Sequence, residues 1–384
     1  MDSGERYLSP IVRADAESKM IILSGPRQAG KTTLCRQLAD SHEYLNFDID
    51  RHRKIIRERS WRRDQQYLIL DELHKMPKWK GWLKGLADDE EERQRIVVTG
   101  SARLETFKKT GDSLAGRFFQ YRLHPFDLKE ICTFDKKTSR EVVIDRMLTC
   151  GNFPEPYLKG TTAFYNKWRV AHLDIILRQD LLDLENVRDI KGIELLIDLL
   201  RERVGSPLSA NSLARDLQKD HKTIQHWLQI LENLYVIFVV RPYHRNVARA
   251  ILKEPKIYFF DTAQVEGDEG VRFENLVACA LFKEVQYCTD ALGGRLDLHY
   301  VRTKDGREVD FLITRDRQPS LLIEAKLSDE QISPHLAFFV KMLGTKRQLQ
   351  INRRAAREQT LRGGFELRRA GDFLATLDLS KPNA

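Results

Sequence analysis

The sequence predicts an α/β protein built from several domains, and three segments support this prediction. Residues 21–38, IILSGPRQAGKTTLCRQL, place an aliphatic strand before a glycine-rich loop and an amphipathic helix. Residues 206–243 place two helices before an aliphatic strand, and residues 295–328 contain three successive strand patterns. Because the 384 residues exceed the size at which a single core usually stops growing, we expect separate domains along the chain.

The composition excludes several classes of protein. With 42% apolar and 31% charged residues the chain is globular rather than disordered. No segment approaches the roughly 18 consecutive apolar residues of a membrane-spanning helix, and the first ten residues lack the features of a secretory signal. The five cysteines form no CxxC pair, which argues against a zinc site and a disulfide framework. We therefore expect a cytoplasmic protein with no membrane partner.

The positive charge of the chain is clustered. The net charge is +8, and residues 51–63 hold seven Arg or Lys against one Glu. Residues 346–369 are again rich in arginine. This distribution indicates an anionic partner, although a solvated surface is the alternative for either run.

The first strong motif, GPRQAGKT at residues 25–32, matches the phosphate-binding loop GxxxxGK[ST] between a strand and a helix. Its backbone N–H groups would surround the phosphates, Lys31 would reach the β and γ phosphates, and Thr32 would ligate Mg²⁺. The cofactors predicted are therefore ATP and Mg²⁺. The residues predicted to bind ATP are Gly25, Pro26, Arg27, Gln28, Ala29, Gly30, Lys31, Thr32, Thr33 and Ser101.

Two further strands carry polar residues at their ends. YLILDELHKMP, residues 67–77, provides Asp71 to hold Mg²⁺ through water and Glu72 to orient or deprotonate the attacking water. The pair predicts hydrolysis as well as binding. RIVVTGSARL, residues 95–104, contains Thr99 and Ser101, which could sense the γ phosphate; a simple polar turn is the alternative.

Segments spread over nearly the whole chain resemble one family. They are SGPRQAGKTTL, LILDELHKMPKW, VVTGSARL, SLAGRFFQYRLHPFDLKE, GNFPEPYL, KIYFFDTAQV, GVRFENLVACAL and REVDFLI. The chain resembles the AAA-type ATPases of archaea and bacteria whose C-terminal half is a domain of unknown function related to PD-(D/E)xK nucleases. The resemblance implies that Arg117 is similar to an arginine finger acting on a neighbouring subunit's ATP, and hence that the protein is a homo-oligomer, such as a ring. Local stacking or capping by this arginine is the alternative.

Residues 206–243 follow the order of a winged helix-turn-helix. A helix from Ser209 to about Leu217, a short turn, a second helix from Lys222 to about Asn233 and a strand are expected. The predicted core consists of Leu213, Leu217, Ile224, Leu228 and Leu231. The residues predicted to contact DNA are Lys222, Thr223, Gln225, His226 and Gln229. Packing against protein instead of DNA is the alternative.

The strands of residues 295–328 bring charged residues together. Asp310 followed by Glu324-x-Lys326 matches the D…ExK pattern of the nuclease fold that the family resembles, and Glu274 matches the helix carboxylate of that fold. Asp310 and Glu324 would hold Mg²⁺, and Lys326 would position or deprotonate water. The proline of the fold's Pro-Asp pair is Val309 here. A salt bridge between Glu324 and Lys326 in an inactive domain is the alternative.

These predictions combine into four domains and one function. The domains are a P-loop AAA-type ATPase domain (1–150), a helical connector (151–200), a winged helix-turn-helix (201–250) and a restriction-endonuclease-like α/β domain (251–384). We expect an ATP-driven enzyme that binds DNA and cuts branched or structured DNA in a Mg²⁺-dependent way. The alternatives are an ATP-dependent DNA-binding motor or switch that does not cleave, and a signalling ATPase with protein partners.

Overall fold

The computed structural model describes residues 4–89, 91–100, 114, 116–181, 189–244, 253–328 and 331–381. The chain forms two compact units. The first unit comprises residues 1–125, 173–186 and 233–235, and the second comprises residues 126–172, 187–232 and 236–384. Among the described residues no helix has the length and apolar content needed to cross a membrane.

The first unit has the α/β fold that the sequence predicted, and its sheet is parallel. Its elements are α1 (Ser9–Asp15), β1 (Met20–Ser24), α2 (Lys31–Arg36), β2 (His42–Asn46), α3 (Asp50–Glu58), β3 (Tyr67–Asp71), a 3₁₀ turn (Leu73–Lys75), α4 (Trp79–Ala87), β4 (Arg95–Gly100) and β5 (Phe118–Arg122). The five strands are all parallel and lie in the order β2-β3-β4-β1-β5.

The strand order of this sheet places the predicted ATP residues side by side. Every residue of β1 and β3 is buried, as expected for parallel strands covered on both faces. Because β4 lies between β1 and β3, Thr99 on β4 lies beside Asp71 at the end of β3. The phosphate-binding loop leaves the same carboxyl end of the sheet after β1, which is where open α/β sheets bind ligands.

The second unit contains a group of helices and a large mixed sheet. The helices along this part of the chain are α5 (Leu128–Phe134), α6 (Arg140–Cys150), α7 (Pro154–Lys159), α8 (Thr162–Ile175, continued by a π-helical turn at Ile176–Asp180), α9 (Ile190–Arg201), α10 (Ala210–Asp216) and α11 (His221–Asn233). Of these residues, 173–180 and Asn233 belong to the first unit. These helices are followed by β6 (Ile237–Pro242), β7 (Lys256–Phe259), a 3₁₀ turn (Thr262–Gln264), α12 (Glu269–Leu292), β8 (Leu296–Arg302), β9 (Glu308–Arg315), β10 (Gln318–Lys326), α13 (Pro334–Leu343), β11 (Arg347–Asn352), β12 (Gln359–Leu361), β13 (Phe365–Arg369) and α14 (Ala370–Ala375).

The eight strands of this unit form one sheet in the order β12-β13-β11-β10-β9-β8-β6-β7. β8, β9 and β10 are successive antiparallel neighbours, and β11 pairs with β10 in parallel. The 24-residue helix α12 is capped at its start by the Asp268 side chain, which accepts from Val271 N, and stops at Gly293 in the left-handed conformation.

This division of the chain differs from the four predicted domains. The first unit gives way to the second after Pro125 rather than after residue 150, because α5 is tied to α12 by buried ion pairs. Residues 201–232 and 236–244 fall in the same unit as the strands that follow. β6 pairs with β7 and, at Arg241 and Pro242, with β8, so the predicted wing strand is also part of the large sheet.

Candidate functional site

The phosphate-binding loop has the backbone geometry that its glycines make possible. A Cβ at Gly25 would lie 2.2 Å from the carbonyl oxygen of Leu123, and Gly30 has a φ of 96°. Lys31 is buried, and its Nζ donates to the carbonyl oxygens of Gly25 (2.8 Å) and Pro26 (2.7 Å). The amine that is expected to bind phosphate is thus hydrogen-bonded to carbonyl oxygens of its own loop.

Asp71 is the centre of a hydrogen-bond network at the end of β3. Its Oδ2 accepts from the Thr32 hydroxyl at 3.1 Å and from the Tyr44 hydroxyl at 2.5 Å. Its Oδ1 accepts from the Thr99 hydroxyl, and Asn46 Nδ2 approaches Oδ2 at 3.5 Å. Hydroxyl and carboxylate oxygens are ligands that Mg²⁺ prefers, so the Thr32 and Asp71 pair fits this ion.

Glu72 lies next to this network in an environment that changes its acidity. It is 8% exposed and has a φ of 55°, a conformation that residues other than glycine rarely adopt. Burial raises the pKa of Glu72 to about 7, and the nearby Asp71 carboxylate acts in the same direction, while Lys31 opposes the increase. A carboxylate with a pKa near neutrality is suited to accept a proton from water.

Arg6 supports the loop from the start of the chain. Its guanidinium is buried and donates to the carbonyl oxygens of Ala29 (2.9 Å) and His124 (2.6 Å).

Arg117, the predicted arginine finger, lies at the surface, where Nε is 2.7 Å and Nη2 is 3.2 Å from the two carboxylate oxygens of Asp88. An arginine acting on another subunit's nucleotide would first have to leave this partner, and the arginine-finger role stays a prediction.

A second cluster of charged residues lies in the second unit. Glu324 Oε1 is 2.9 Å from Lys326 Nζ, and Asp310 Oδ2 accepts from the backbone N–H of Ala325 at 2.9 Å. Glu274 Oε1 accepts from the Tyr258 hydroxyl at 2.7 Å. The structure therefore brings Asp310, Glu324 and Lys326 together on adjacent strands, and their role as a catalytic set stays a prediction.

Burial and mutual repulsion perturb the acids of this cluster. They raise the pKa of Glu274 to about 7 and that of Glu324 to about 7, with burial the larger cause and the Asp310 carboxylate the next. Glu324 Oε2 is buried and has no hydrogen-bond partner among the described residues. Among the described residues no group of three His, Cys, Asp or Glu side chains is arranged to hold a metal ion. The pair Asp310 and Glu324 nevertheless fits Mg²⁺, which is often bound by one or two carboxylates together with waters.

Three successive segments of the chain match models of known protein families. Residues 17–132 match the family model of an AAA domain. Residues 141–265 match a domain of unknown function (DUF8612), and residues 269–366 match another (DUF4143). The prediction of an AAA-type ATPase domain is thus supported, whereas the relation of the C-terminal part to nucleases stays a prediction.

The chain is also similar to uncharacterized proteins from distant organisms. It is 25% identical over 332 residues to a protein of Mycobacterium tuberculosis, covering 80% of this chain and 73% of that protein. It is 22% identical over 358 residues to a protein of Methanocaldococcus jannaschii, covering 83% and 78%.

Two solved structures share weak similarity with the chain. NtrX from Brucella abortus in complex with ATP has a TM-score of 0.26 and 14% identity, covering 60% of this chain and 69% of that chain. A signal transduction ATPase with numerous domains from Pyrococcus horikoshii, which has a tetratricopeptide repeat sensor, has a TM-score of 0.24 and 12% identity, covering 76% and 47%.

Most of the residues predicted to bind ATP lie together in the AAA domain. Residues 25–33 form the loop after β1 and the start of α2, and Ser101 lies outside the described residues. Sequence analysis missed Tyr44 and Asn46. The alternation of these two polar residues along β2 puts both on one face of the strand next to β3, which was the only indication in the sequence.

Four of the five residues predicted to contact DNA are exposed on the second predicted helix, α11. Lys222, Gln225, His226 and Gln229 are exposed. The Thr223 hydroxyl instead donates to Asp220 Oδ2 at 2.5 Å at the start of the helix, so the prediction that this hydroxyl is available to DNA needs correction. Of the predicted core, Leu213, Ile224 and Leu231 are buried, Leu217 and Leu228 are half-buried, and Trp227 and Ile230 are buried in addition.

Proposed function

We propose that the AAA domain binds and hydrolyses ATP, and that Lys31, Thr32, Asp71 and Glu72 carry the reaction. The observation that supports this most directly is the 3.1 Å contact between the Thr32 hydroxyl and the Asp71 carboxylate, which joins two motifs 39 residues apart. These are the two side chains expected to hold Mg²⁺ beside the β and γ phosphates.

Each residue has a distinct part in the proposed reaction. Lys31 would exchange its carbonyl partners for phosphate oxygens and offset their charge. A Mg²⁺ ion held by Thr32 and Asp71 would supply further charge neutralisation. Glu72 would orient the attacking water and accept its proton, since its raised pKa lets it act as a base near neutral pH.

Replacing the lysine of the loop tests this proposal. Lys31→Ala is expected to lower the rate of ATP hydrolysis by about 100-fold, because it removes the cation nearest the developing charge. The measurement is phosphate release with Mg²⁺ present. Lys54→Ala, at a surface site in α3, is the matched control and should retain full activity. Equal activity of the two variants would rule out this site as the ATPase centre.

We further propose that the second unit binds DNA and hydrolyses its phosphodiester bonds at Asp310, Glu324 and Lys326. The specific support is the buried Glu324 Oε2, which has no hydrogen-bond partner in the part of the chain that the structure describes, although burying an unsatisfied carboxylate oxygen is costly. Asp310 is held in place by the N–H of Ala325, and the Lys326 amine is 2.9 Å from Glu324.

In this proposal Asp310, Glu324 and Lys326 have different roles at a single phosphate group. Asp310 and Glu324 would hold Mg²⁺, which when bound polarises a phosphodiester. Lys326, about one third exposed, would orient a water molecule and offset the negative charge that develops on the phosphate. The exposed residues of α11, among them Lys222 and Gln225, would contact the DNA backbone or base edges.

End-labelled duplex, single-stranded, forked and four-way DNA incubated with Mg²⁺ or Mn²⁺ tests this second proposal. Lys326→Met is expected to lower cleavage by about 100-fold or more while leaving salt-sensitive DNA binding intact. Lys304→Met, in the exposed turn between β8 and β9, is the control and should cleave normally. Intact strands with the unmodified protein under all these conditions would exclude cleavage and leave a DNA-binding ATPase, provided that binding weakens steeply with salt.

A further inference from the structure

A buried lysine that sequence analysis did not select lies at the centre of the acid cluster. Lys256 begins β7, and its side chain is 1% exposed. Its Nζ is 2.7 Å from Glu308 Oε1, 3.2 Å from Glu274 Oε1 and 3.9 Å from Asp310 Oδ1. The ring of Tyr300 has its centroid 5.4 Å from the same nitrogen. Three carboxylates and an aromatic ring thus surround one cation.

Lys256 offsets part of the negative charge of this cluster. Burial alone would disfavour the charged form of Lys256, but its Nζ lies 2.7 Å from Glu308 and 3.2 Å from Glu274, and these carboxylates stabilise the ammonium group. Burial of several carboxylates close together without a cation would be costly, because each charge loses its hydration and repels its neighbours.

We infer that Lys256 is the resident counter-ion of this cluster, and that its ammonium group holds the position at which Glu274, Glu308 and Asp310 would otherwise bind a divalent cation. The three acids approach this nitrogen from α12 and β9, and with the lysine in place no group of three such side chains among the described residues is arranged to hold a metal ion. A metal ion would accordingly be confined to the other side of Asp310, where Glu324 Oε2 has no hydrogen-bond partner within the described ranges. This inference concerns charge balance and does not depend on DNA cleavage.

Removing the lysine should turn the cluster into a divalent-cation site. Lys256→Met, which keeps most of the side-chain volume, is expected to lower the Tm of the full chain by about 10 °C in EDTA. Mn²⁺ added without ATP should recover most of that loss in the variant and shift the Tm of the unmodified protein much less. Arg302→Ala is the matched control, because Arg302 also pairs with Glu308, at 2.8 Å, but from an exposed position.

Each outcome of this experiment either supports or contradicts the counter-ion role of Lys256. A Mn²⁺-induced shift in Lys256→Met no larger than in the unmodified protein would overturn the inference. Where Lys256→Met does not fold in EDTA, the double variant Lys256→Met with Glu308→Gln is measured. Recovery of folding in the double variant, which has one buried negative charge fewer, supports the counter-ion role. Failure of the double variant to fold any better than the single one would contradict it.

Discussion

Glu72→Gln is expected to lower kcat for ATP hydrolysis by about 100- to 1,000-fold while leaving ATP affinity nearly unchanged. The amide keeps the size and the buried position of the side chain but cannot accept a proton from the attacking water. Lys31 and Thr32, which would contact the nucleotide directly, are untouched. Phosphate release under saturating ATP, together with equilibrium binding of a fluorescent ATP analogue, measures the two effects separately.

The pH dependence of the reaction provides a second measurement on Glu72. Because the pKa of this carboxyl is raised to about 7 and the ionised form is the base, kcat should rise with pH through about 7 and then level off. Glu17→Gln, which changes an exposed acid of the same unit, is the control and should keep both the rate and the pH profile. A Glu72→Gln variant with an unchanged kcat would remove Glu72 from the reaction.

Lys283→Met is expected to destabilise the second unit by about 3–5 kcal/mol. Lys283 on α12 is buried, and its Nζ is 2.5 Å from Glu130 Oε2 and 3.3 Å from Asp127 Oδ2. Glu130 is 2% exposed, so the variant would leave a buried charge without this partner. Urea denaturation followed by a probe in the second unit measures the loss.

Two variants show whether the cost comes from unpaired charge. Adding Glu130→Gln to Lys283→Met should recover part of the stability, because the stranded carboxylate is then neutral. Arg203→Ala breaks a pair with Asp216 in which both side chains are about one third exposed, and it should cost no more than about 1 kcal/mol. A Lys283→Met variant as stable as Arg203→Ala would show that the buried pair contributes little.

Sequence patterns predicted the AAA domain well because its motifs are local. The loop at residues 25–32 and the strands that end near Asp71 and Thr99 each carry their own apolar run and their own polar terminus. Once the order of the strands is known, the parallel sheet by itself places these ends next to one another. Asp310, Glu324 and Lys326 were found for a similar reason, since β9 and β10 are antiparallel neighbours in the chain.

The residues that sequence analysis missed depend on pairing across distant parts of the chain. Lys256 is 54 residues from Asp310 in sequence, and only the fold brings Nζ to within 3.9 Å of that carboxylate. Arg6 reaches His124 in the same way, over a separation of 118 residues. The predicted domain boundary at residue 250 missed the pairing of β6 with β8 for the same reason, because one strand pattern does not specify its partner.

The two outer strands of the eight-stranded sheet bear on how copies of the chain associate. β12 has only three residues and β7 only four, and β7 is further covered where Pro207 bridges to Lys256. Short outer strands offer few unpaired N–H and C=O groups to another chain, which protects a sheet against edge-to-edge aggregation. The eight-stranded sheet therefore offers little backbone at these two strands for pairing with another copy of the chain.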